Sequence, residues 1–358
     1  MRILTVVGAR PQFIKAAAVS RVIRQEHQEI LVHTGQHYDF GMSQVFFDEL
    51  DLPPADYNLG VGSASHGVQT ALMIEKIEAV LQQEKPDLIM VYGDTNSTLA
   101  AALAAVKIHI PIAHVEAGLR SFNRQMPEEV NRRLTDHSST LLFTPTDLAT
   151  QHLAHEGIIQ GVHQVGDVMY DVLLNYLDRA QQCSPQLDTL GLKPGGYILA
   201  TIHRAENTDT PTRLEAILQA LSSTEWPVIF PMHPRTRQRI QQMGFEDMLA
   251  RNPQLQCLEP MGYLDMLWLE QNAHRILTDS GGVQKEAYLL GVPCLTIREE
   301  TEWQETVDSG WNQLIPAEKS AILAAFTDNS QPKSRPPFYG DGQAAQRIAK
   351  VFCELESC

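Results

Sequence analysis

The chain has 358 residues, enough for two domains of about 150 to 200 residues each, and 43 acidic against 28 basic side chains give a formal net charge of −15. This charge argues against a general nucleic-acid binder, because such a protein presents a net basic face to phosphate. The five cysteines are scattered without a CxxC pair, so neither a zinc site nor a disulfide framework is predicted. With no signal-peptide core and no run of about 18 apolar residues, we expect a soluble protein of the reducing cytoplasm that does not bind membranes.

Short apolar strands alternate with amphipathic helices along the first half of the chain. The segments RILTVVG, EILVHTG, DLIMVYGD and PIAHVEAG are apolar and β-branched, and each closes near a glycine. Between them, GVQTALMIEKIEAVLQQ has the spacing of an amphipathic helix. This alternation predicts βαβ units on a parallel sheet.

The same alternation restarts in the second half. After the polar, proline-containing stretch QQCSPQLDTLGLKPGG come YILATIHR, WPVIFPMHPR, LQCLEPMG and HRILTDSGG. We therefore predict an α/β protein with two doubly wound parallel-sheet domains, residues 1–170 and 171–340.

Polar residues follow the predicted strands in both halves. Ligands of open parallel sheets bind beyond the carboxyl ends of the strands, so we expect these side chains to line a single interdomain cleft. The set from the first half is Arg10, Lys15, Gln36, His37, Asp94, Glu116, Arg120, Glu128, Glu129 and Arg132. The set from the second half is His203, Arg204, Glu206, His233, Arg235, Asp279, Ser280, Gly281, Gly282 and Glu286.

The segment TDSGGVQKEAYLLG has the features of an anion site at a helix start. Asp or Ser caps the helix, the two glycines admit a close backbone approach, and the first N–H groups of the helix are free to bind an anion. An ordinary N-cap with a tight turn explains these letters equally well. Glu286 lies about one helical turn further on, where a carboxylate can reach ribose hydroxyls.

Acidic residues at the strand ends indicate proton transfer. Taken singly, Asp94 and Glu116 are more typical of caps or salt bridges, but together with the Glu128/Glu129 pair they favour acid–base chemistry. The histidines His37, His114, His203 and His233 come from different strands without HxH or HExxH spacing, so no metal site is predicted.

Ordered motifs along the chain resemble one known family. GARPQFIK, TGQHYD, YGDTNSTLA, HVEAGLRS, MPEEVNR, HRAEN, TDSGGVQKEA and YGDGQA occur in this order in the non-hydrolysing UDP-N-acetylglucosamine (UDP-GlcNAc) 2-epimerases. The resemblance runs from residue 1 to about residue 350. It implies the GT-B architecture of two Rossmann-like domains, with a C-terminal helix, residues 341–358, packed on the first. It also implies a homodimer with a UDP-N-acetylhexosamine substrate and no metal or nicotinamide cofactor.

The resemblance also implies the chemistry. The family interconverts UDP-GlcNAc and UDP-N-acetylmannosamine (UDP-ManNAc) by anti elimination of UDP and re-addition, for surface polysaccharide precursors. By motif position, the catalytic set comprises Asp94, Glu116, Glu128, His203 and Lys15. The UDP-binding set comprises Arg10, His233, Ser280, Gly281, Gly282 and Glu286. Secondary candidates are Gln36, His37, Arg132 and Arg204. Arg10 and Lys15 would neutralise the leaving UDP, with Arg10 the more direct contact.

Some positions depart from the family pattern. Ala9 and Gln12 replace Thr and Glu of GTRPE, Ala205 replaces Arg of HRRE, and Trp303 replaces Arg of TERPE. Some bacterial members bind a second, activating UDP-GlcNAc near positions that here hold Tyr38 and Ala205, and we expect this activation to be absent. GARPQFIKA and TEW also resemble a sister branch that epimerises UDP-2,3-diacetamido-2,3-dideoxyglucuronate, which leaves the substrate open between the two.

Rival functions use parts of the same pattern. A GT-B glycosyltransferase would share the UDP pocket but need an acceptor, a hydrolysing epimerase would release free sugar, and a nucleotide-sugar sensor would bind without turnover. A dehydrogenase fits less well, because no GxGxxG follows the first strand.

Overall fold

The structure, a computed structural model, describes residues 1–36, 51–249, 252–328, 332 and 334–356. The chain folds into two compact units: unit 1 comprises Met1–Asn175 and Pro337–Cys358, and unit 2 comprises Tyr176–Pro336. Among the described residues, no helix combines the length and hydrophobicity that crossing a membrane requires.

Unit 1 is built on a parallel sheet. Its strands are β1 (Arg2–Val7), β2 (Gln28–His33), β3 (Tyr57–Asn58), β4 (Leu88–Tyr92), β5 (Ile112–Val115), β6 (Leu141–Thr144) and β7 (Val162–Gln164). They lie in the order β3-β2-β1-β4-β5-β6-β7, and every pairing is parallel. The strands predicted from RILTVVG, EILVHTG, DLIMVYGD and PIAHVEAG are confirmed as β1, β2, β4 and β5.

Helices connect these strands. They are α1 (Arg10–Ile23), α2 (His66–Glu84), α3 (Asn96–Lys107), α4 (Pro127–Ser138), α5 (Asp147–His155) and α6 (Val168–Cys183), the last of which continues into unit 2. Helix α3 buries a run of alanines against the sheet, and these small side chains allow the helix to lie close to β1 and β4.

Unit 2 repeats the design with another parallel sheet. Its strands are β8 (Ile198–Thr201), β9 (Val228–Pro231), β10 (Leu255–Leu258), β11 (Arg275–Thr278), β12 (Cys294–Thr296) and β13 (Asn312–Leu314), in the order β10-β9-β8-β11-β12-β13. Its further helices are α7 (Gln186–Thr189), α8 (Ala205–Thr208), α9 (Pro211–Ser223), α10 (Pro234–Met243), α11 (Glu246–Leu249), α12 (Tyr263–Asn272), α13 (Gly281–Leu290), α14 (Gln304–Asp308) and α15 (Lys319–Thr327).

Both faces of the unit 2 sheet are covered. Along β8, Ile198 and Ala200 pack into the apolar cluster on one face, while Leu199 and the preceding Tyr197 pack into the cluster on the other. Alternate side chains of a strand point to opposite faces, so a strand buried on both sides reads as a continuous apolar run. The predicted fold class, two parallel sheets with connecting helices, is confirmed.

The C-terminal helix α16 (Ala344–Glu356) belongs to unit 1. The N–H groups of Ala344 and Ala345 donate to the carboxylate of Asp171 at 3.0 and 2.8 Å. At its far end the ring of Phe352 lies 5.7 Å from that of Phe143 on β6, in an edge-to-face arrangement. The carboxylate at its first turn and the aromatic contact near its last therefore anchor this helix.

The strand order reverses once in each sheet. The reversal falls between β1 and β4 in unit 1 and between β8 and β11 in unit 2. Connections leave such a pair of strands in opposite directions, which opens a crevice beyond their carboxyl ends where ligands bind. In this chain the turns at these points carry Asp94 in unit 1, and His203 and Asp279 in unit 2.

Candidate active site

A buried ion pair lies beside the unit 1 reversal. Lys15 projects from α1, and its Nζ contacts Oε2 of Glu116, the residue directly after β5. The side chains are only 11% and 6% exposed, so each charge offsets the cost of burying the other. Glu116 has φ +72°, a left-handed conformation that costs a non-glycine residue about 1 to 2 kcal/mol. Such strain is commonly retained at functional sites.

A second acid–cation pair follows β4. Oδ2 of Asp94 lies 2.6 Å from Nη2 of Arg132, which comes from α4, and the Asp94 side chain is 28% exposed. The neighbouring Asn131 donates its side-chain amide to the Asp94 carbonyl at 2.9 Å. Helix α4 therefore holds both the backbone and the side chain of Asp94.

The two adjacent glutamates of α4 have different environments. Glu129 is buried, and its Oε2 accepts from the Ser121 N–H at 2.8 Å and lies 3.2 Å from Nη1 of Arg132. Glu128 is half-exposed, and within the described parts of the chain its carboxylate has no hydrogen-bonding or ionic partner. Glu129 is thus engaged in the loop after β5, whereas Glu128 is available to a ligand.

The turn after β1 is organised by Gln12, which replaces the glutamate of the family pattern. Its Oε1 accepts from the N–H groups of Gly8 and Ala9 at 2.8 and 3.1 Å, and its Nε2 donates to the Tyr92 carbonyl at 2.8 Å. The amide therefore joins the ends of β1 and β4, which a carboxylate could not do with both its oxygens as acceptors.

The structure describes some of the other predicted residues of unit 1 and leaves out others. Gln36 accepts from the N–H and hydroxyl of Ser97 at 3.1 and 2.7 Å, near the start of α3. Arg10 opens α1, but its side chain lies outside what the structure describes, as do all of His37 and Tyr38.

In unit 2, Asp279 organises the loop that carries His203. Its fully buried carboxylate accepts from the N–H groups of His203 and Arg204, each at 3.0 Å, and from the Asn207 amide, also at 3.0 Å. The His203 ring lies 5.5 Å from that of His233, centroid to centroid. The structure thus places two of the predicted histidines beside each other, and Asp279, a candidate helix cap in the sequence, holds the backbone of His203.

The residues of the predicted anion site, Ser280 to Gly282, lie at the start of α13, where the Ser280 side chain makes no capping hydrogen bond. A Cβ on Gly281 would lie 2.6 Å from Oε1 of Glu302, whereas Gly282 is exposed and a Cβ there would meet Oγ of Ser280 at an ordinary contact distance of 3.9 Å. Glu302 also lies 3.0 Å from Nη1 of Arg298, and both are buried. A side chain at position 281 would therefore displace the Glu302 carboxylate, whereas one at position 282 would be accommodated.

The interior of α13 places two further charges. Glu286 lies next to Tyr263, and burial, together with the Glu286 carboxylate, raises the pKa of that tyrosine well above its ordinary value. Lys285 is 1% exposed, and its Nζ lies 4.3 Å from the centroid of the Trp303 ring. At this range a cation is attracted to an indole face. Sequence reasoning missed Lys285, because nothing in the letters indicates that residues so far apart are in contact.

The fold and these residues define an α/β protein of two units, each built on a parallel sheet. In unit 1, acids and cations lie at the reversal of strand order. In unit 2, a helix that begins with two glycines lies at the corresponding reversal. The family model described as UDP-N-acetylglucosamine 2-epimerase matches residues 21–353. The chain belongs to this family, as the sequence motifs predicted.

Individual relatives are similar over their whole length. A UDP-N-acetylglucosamine 2-epimerase homolog of Methanococcus maripaludis is 53% identical over 99% of this chain and 100% of its own. The UDP-2,3-diacetamido-2,3-dideoxy-D-glucuronate 2-epimerase of Pseudomonas aeruginosa is 48% identical over 99% of this chain and 100% of its own. The crystal structure of Methanocaldococcus jannaschii UDP-GlcNAc 2-epimerase with UDP-GlcNAc and UDP has a TM-score of 0.92 at 41% identity, covering 99% of this chain and 100% of that one.

Proposed function

We propose that the chain interconverts UDP-GlcNAc and UDP-ManNAc by inverting C2 of the sugar. The observation that carries the proposal is the pair of ion-paired acids at the ends of β4 and β5, Asp94 with Arg132 and Glu116 with Lys15. Inversion needs a proton-transfer group on each face of C2, because the proton leaves one face and returns to the other. Membership of the epimerase family supports the same reaction.

The reaction proceeds through elimination and re-addition. One carboxylate takes the C2 proton, the C–H electron pair forms a C1=C2 double bond, and the C1–O bond breaks with its electron pair on UDP. Re-addition forms the C1–O bond again, and a carboxylic acid on the opposite face delivers a proton to C2. We therefore assign Glu116 and Asp94 to the two faces of C2, one taking the proton and the other returning it, and Glu128 to proton transfer beside them.

Lys15 takes a different role from the one expected from its motif. Its Nζ lies on the Glu116 carboxylate, so we assign it to holding that base rather than to the diphosphate. Neutralising the leaving UDP is assigned to Arg10, to His203 and His233, and to the N–H groups at the start of α13. Glu286, one turn further along α13, is assigned to the ribose hydroxyls.

A second substrate is supported by a specific contact. Trp303, which replaces the usual arginine, packs on buried Lys285, so the contact between this position and α13 differs from the common family pattern. The Pseudomonas aeruginosa relative, named for the diacetamido-glucuronate nucleotide, is 48% identical. UDP-2,3-diacetamido-2,3-dideoxyglucuronate is therefore the second candidate, with the same chemistry at C2. We further propose a homodimer located in the cytoplasm.

The test is proton NMR of the purified protein with UDP-GlcNAc in heavy water. We expect deuterium to enter C2 while UDP-ManNAc signals appear. Exchange only with the diacetamido-glucuronate nucleotide would select the second substrate, and no exchange with either would refute the epimerase. Glu116→Gln should slow exchange by about 100- to 10,000-fold. The matched control Glu75→Gln, at an exposed position on α2, should leave it unchanged.

A further inference from the structure

His114, the first residue of the motif HVEAGLRS, is fully buried on β5 and has no part in the proposed chemistry. Its Nε2 lies 2.7 Å from the carbonyl oxygen of Gly93, the residue immediately before Asp94. Its Nδ1 lies 2.6 Å from Oδ1 of Asp136 on α4. Both ring nitrogens therefore face oxygen atoms.

The partners of Asp136 hold its side chain in place. Its Oδ2 accepts from Nη1 of Arg120 at 2.7 Å and from the Gly118 N–H at 3.2 Å, and its Oδ1 faces His114. The Gly93 carbonyl can only accept, so Nε2 of His114 donates to it. Nδ1 forms the second hydrogen bond of the ring, with Asp136, so both ring nitrogens have a partner.

Other charged groups surround this network. Glu156 on the far side of Arg120 accepts from its Nε and Nη2 at 2.9 and 3.0 Å. On the near side, a Cβ on Gly93 would lie 3.3 Å from Oε2 of Glu116 and 3.5 Å from Nζ of Lys15. The Gly93 turn thus packs directly against the buried ion pair.

The contacts of Gly93 determine where Asp94 points. Gly93 has φ +60°, and its N–H donates to the Val115 carbonyl at 3.0 Å, while its carbonyl accepts from His114. The peptide unit that joins Gly93 to Asp94 is therefore oriented by the imidazole. A rotation of that unit would move the Asp94 carboxylate relative to Glu116.

The geometry points to His114 as a positioning residue for Asp94: the imidazole ring, held by Asp136, orients the Gly93 carbonyl and so the turn that carries the Asp94 carboxylate. The inference rests on the proposed function for its catalytic consequence. Proton transfer depends steeply on placement, and an error of about 1 Å at a reacting group costs on the order of 100-fold in rate.

Two substitutions of similar polarity separate the contacts of the ring. The side-chain amide nitrogen of Gln reaches the position of Nε2, so His114→Gln keeps a donor for Gly93 and loses the contact with Asp136. The amide of Asn reaches the position of Nδ1, so His114→Asn keeps a donor for Asp136 and loses the one for Gly93. Asp136→Asn is the third variant. Its amide donates to Nδ1 of a neutral ring, and the Nε2 hydrogen still bonds to Gly93.

The variants are compared by steady-state kinetics and by hydrogen–deuterium exchange of the peptide that contains Asp94. For His114→Asn we expect kcat to fall about 100-fold with KM changed less than about threefold, because the substrate still binds but the acid is misplaced. Amide exchange at the Gly93–Asp94 turn should rise in the same variant. His114→Gln and Asp136→Asn should keep kcat within about tenfold and retain slow exchange.

The results for the three variants together support or overturn the positioning role of His114. Equal losses of kcat in folded His114→Asn and His114→Gln, or a loss of about 100-fold in Asp136→Asn, would overturn the positioning role. If His114→Asn does not fold, the other two variants still decide, since both must retain turnover. A wild-type protein inactive with both nucleotides refutes the proposed function instead, and the amide exchange at the turn then tests the His114 contact by itself.

Discussion

Replacing Gly118 by alanine tests the packing beneath the turn that follows Glu116. Gly118 has φ +81°, and a Cβ there would clash with the main chain of α5: it would overlap the Ala149 carbonyl oxygen and lie 2.8 Å from its carbon and 3.1 Å from Cγ of Leu153. Gly157, which follows α5, has the same φ of +81°, and nothing lies within 4 Å of its Cβ position. The two glycines share the same positive φ and differ in their surroundings.

The magnitudes follow from that difference. A left-handed alanine costs about 1 to 2 kcal/mol at either position. At Gly118 the clash with backbone atoms, which cannot rotate away, adds about 1 to 3 kcal/mol. We therefore expect Gly118→Ala to lower the free energy of unfolding by about 2 to 5 kcal/mol and Gly157→Ala by about 1 to 2 kcal/mol.

The assay is urea unfolding followed by far-ultraviolet circular dichroism, with midpoint and slope fitted for each variant. Circular dichroism is needed because all four tryptophans lie in unit 2, so their fluorescence does not directly follow the unit that contains both glycines. Equal losses of stability in the two variants would refute the reasoning, since the clash with α5 would then contribute nothing.

Further predictions concern charge, thiol reactivity and hydrogen bonding. Hydrogen bonding from arginine lowers the pKa of Glu156 from 4.5 to about 2, so the stability it contributes is present above about pH 4.5 and is lost as the pH falls towards 2; acid titration of Glu156→Gln should show a shallower loss than the wild type. Burial raises the pKa of Cys294 to about 12, so in the folded protein its thiol should react with an alkylating reagent about 1,000-fold or more slowly than that of exposed Cys183, and mass spectrometry showing comparable labelling would contradict its burial. Gln12→Glu removes the donor to the Tyr92 carbonyl and should lower stability by about 1 to 3 kcal/mol in urea unfolding; an unchanged midpoint would show that this bond is unimportant.

The architecture and the family could be predicted from sequence, because both depend on local letters. The central strands of each sheet are buried on both faces, so they read as unbroken apolar runs that end at a glycine or a polar residue. Both edge strands of unit 1, β3 and β7, were missed. They are short and only partly buried, and their sequences resemble those of loops. The edge strand β10 of unit 2 was predicted from LQCLEPMG.

The sequence by itself determined the parallel sheets, the strand ends on which Asp94 and Glu116 stand, and the family to which the chain belongs. Only the tertiary structure decided the partners: Lys15 on Glu116, His114 between Asp136 and the Gly93 carbonyl, and Glu128 rather than Glu129 left available. The physical reason is that strand and helix formation depends on side-chain periodicity over a few residues. Ion pairs and buried hydrogen bonds depend on distances between residues far apart in the chain, which are defined only when the units pack.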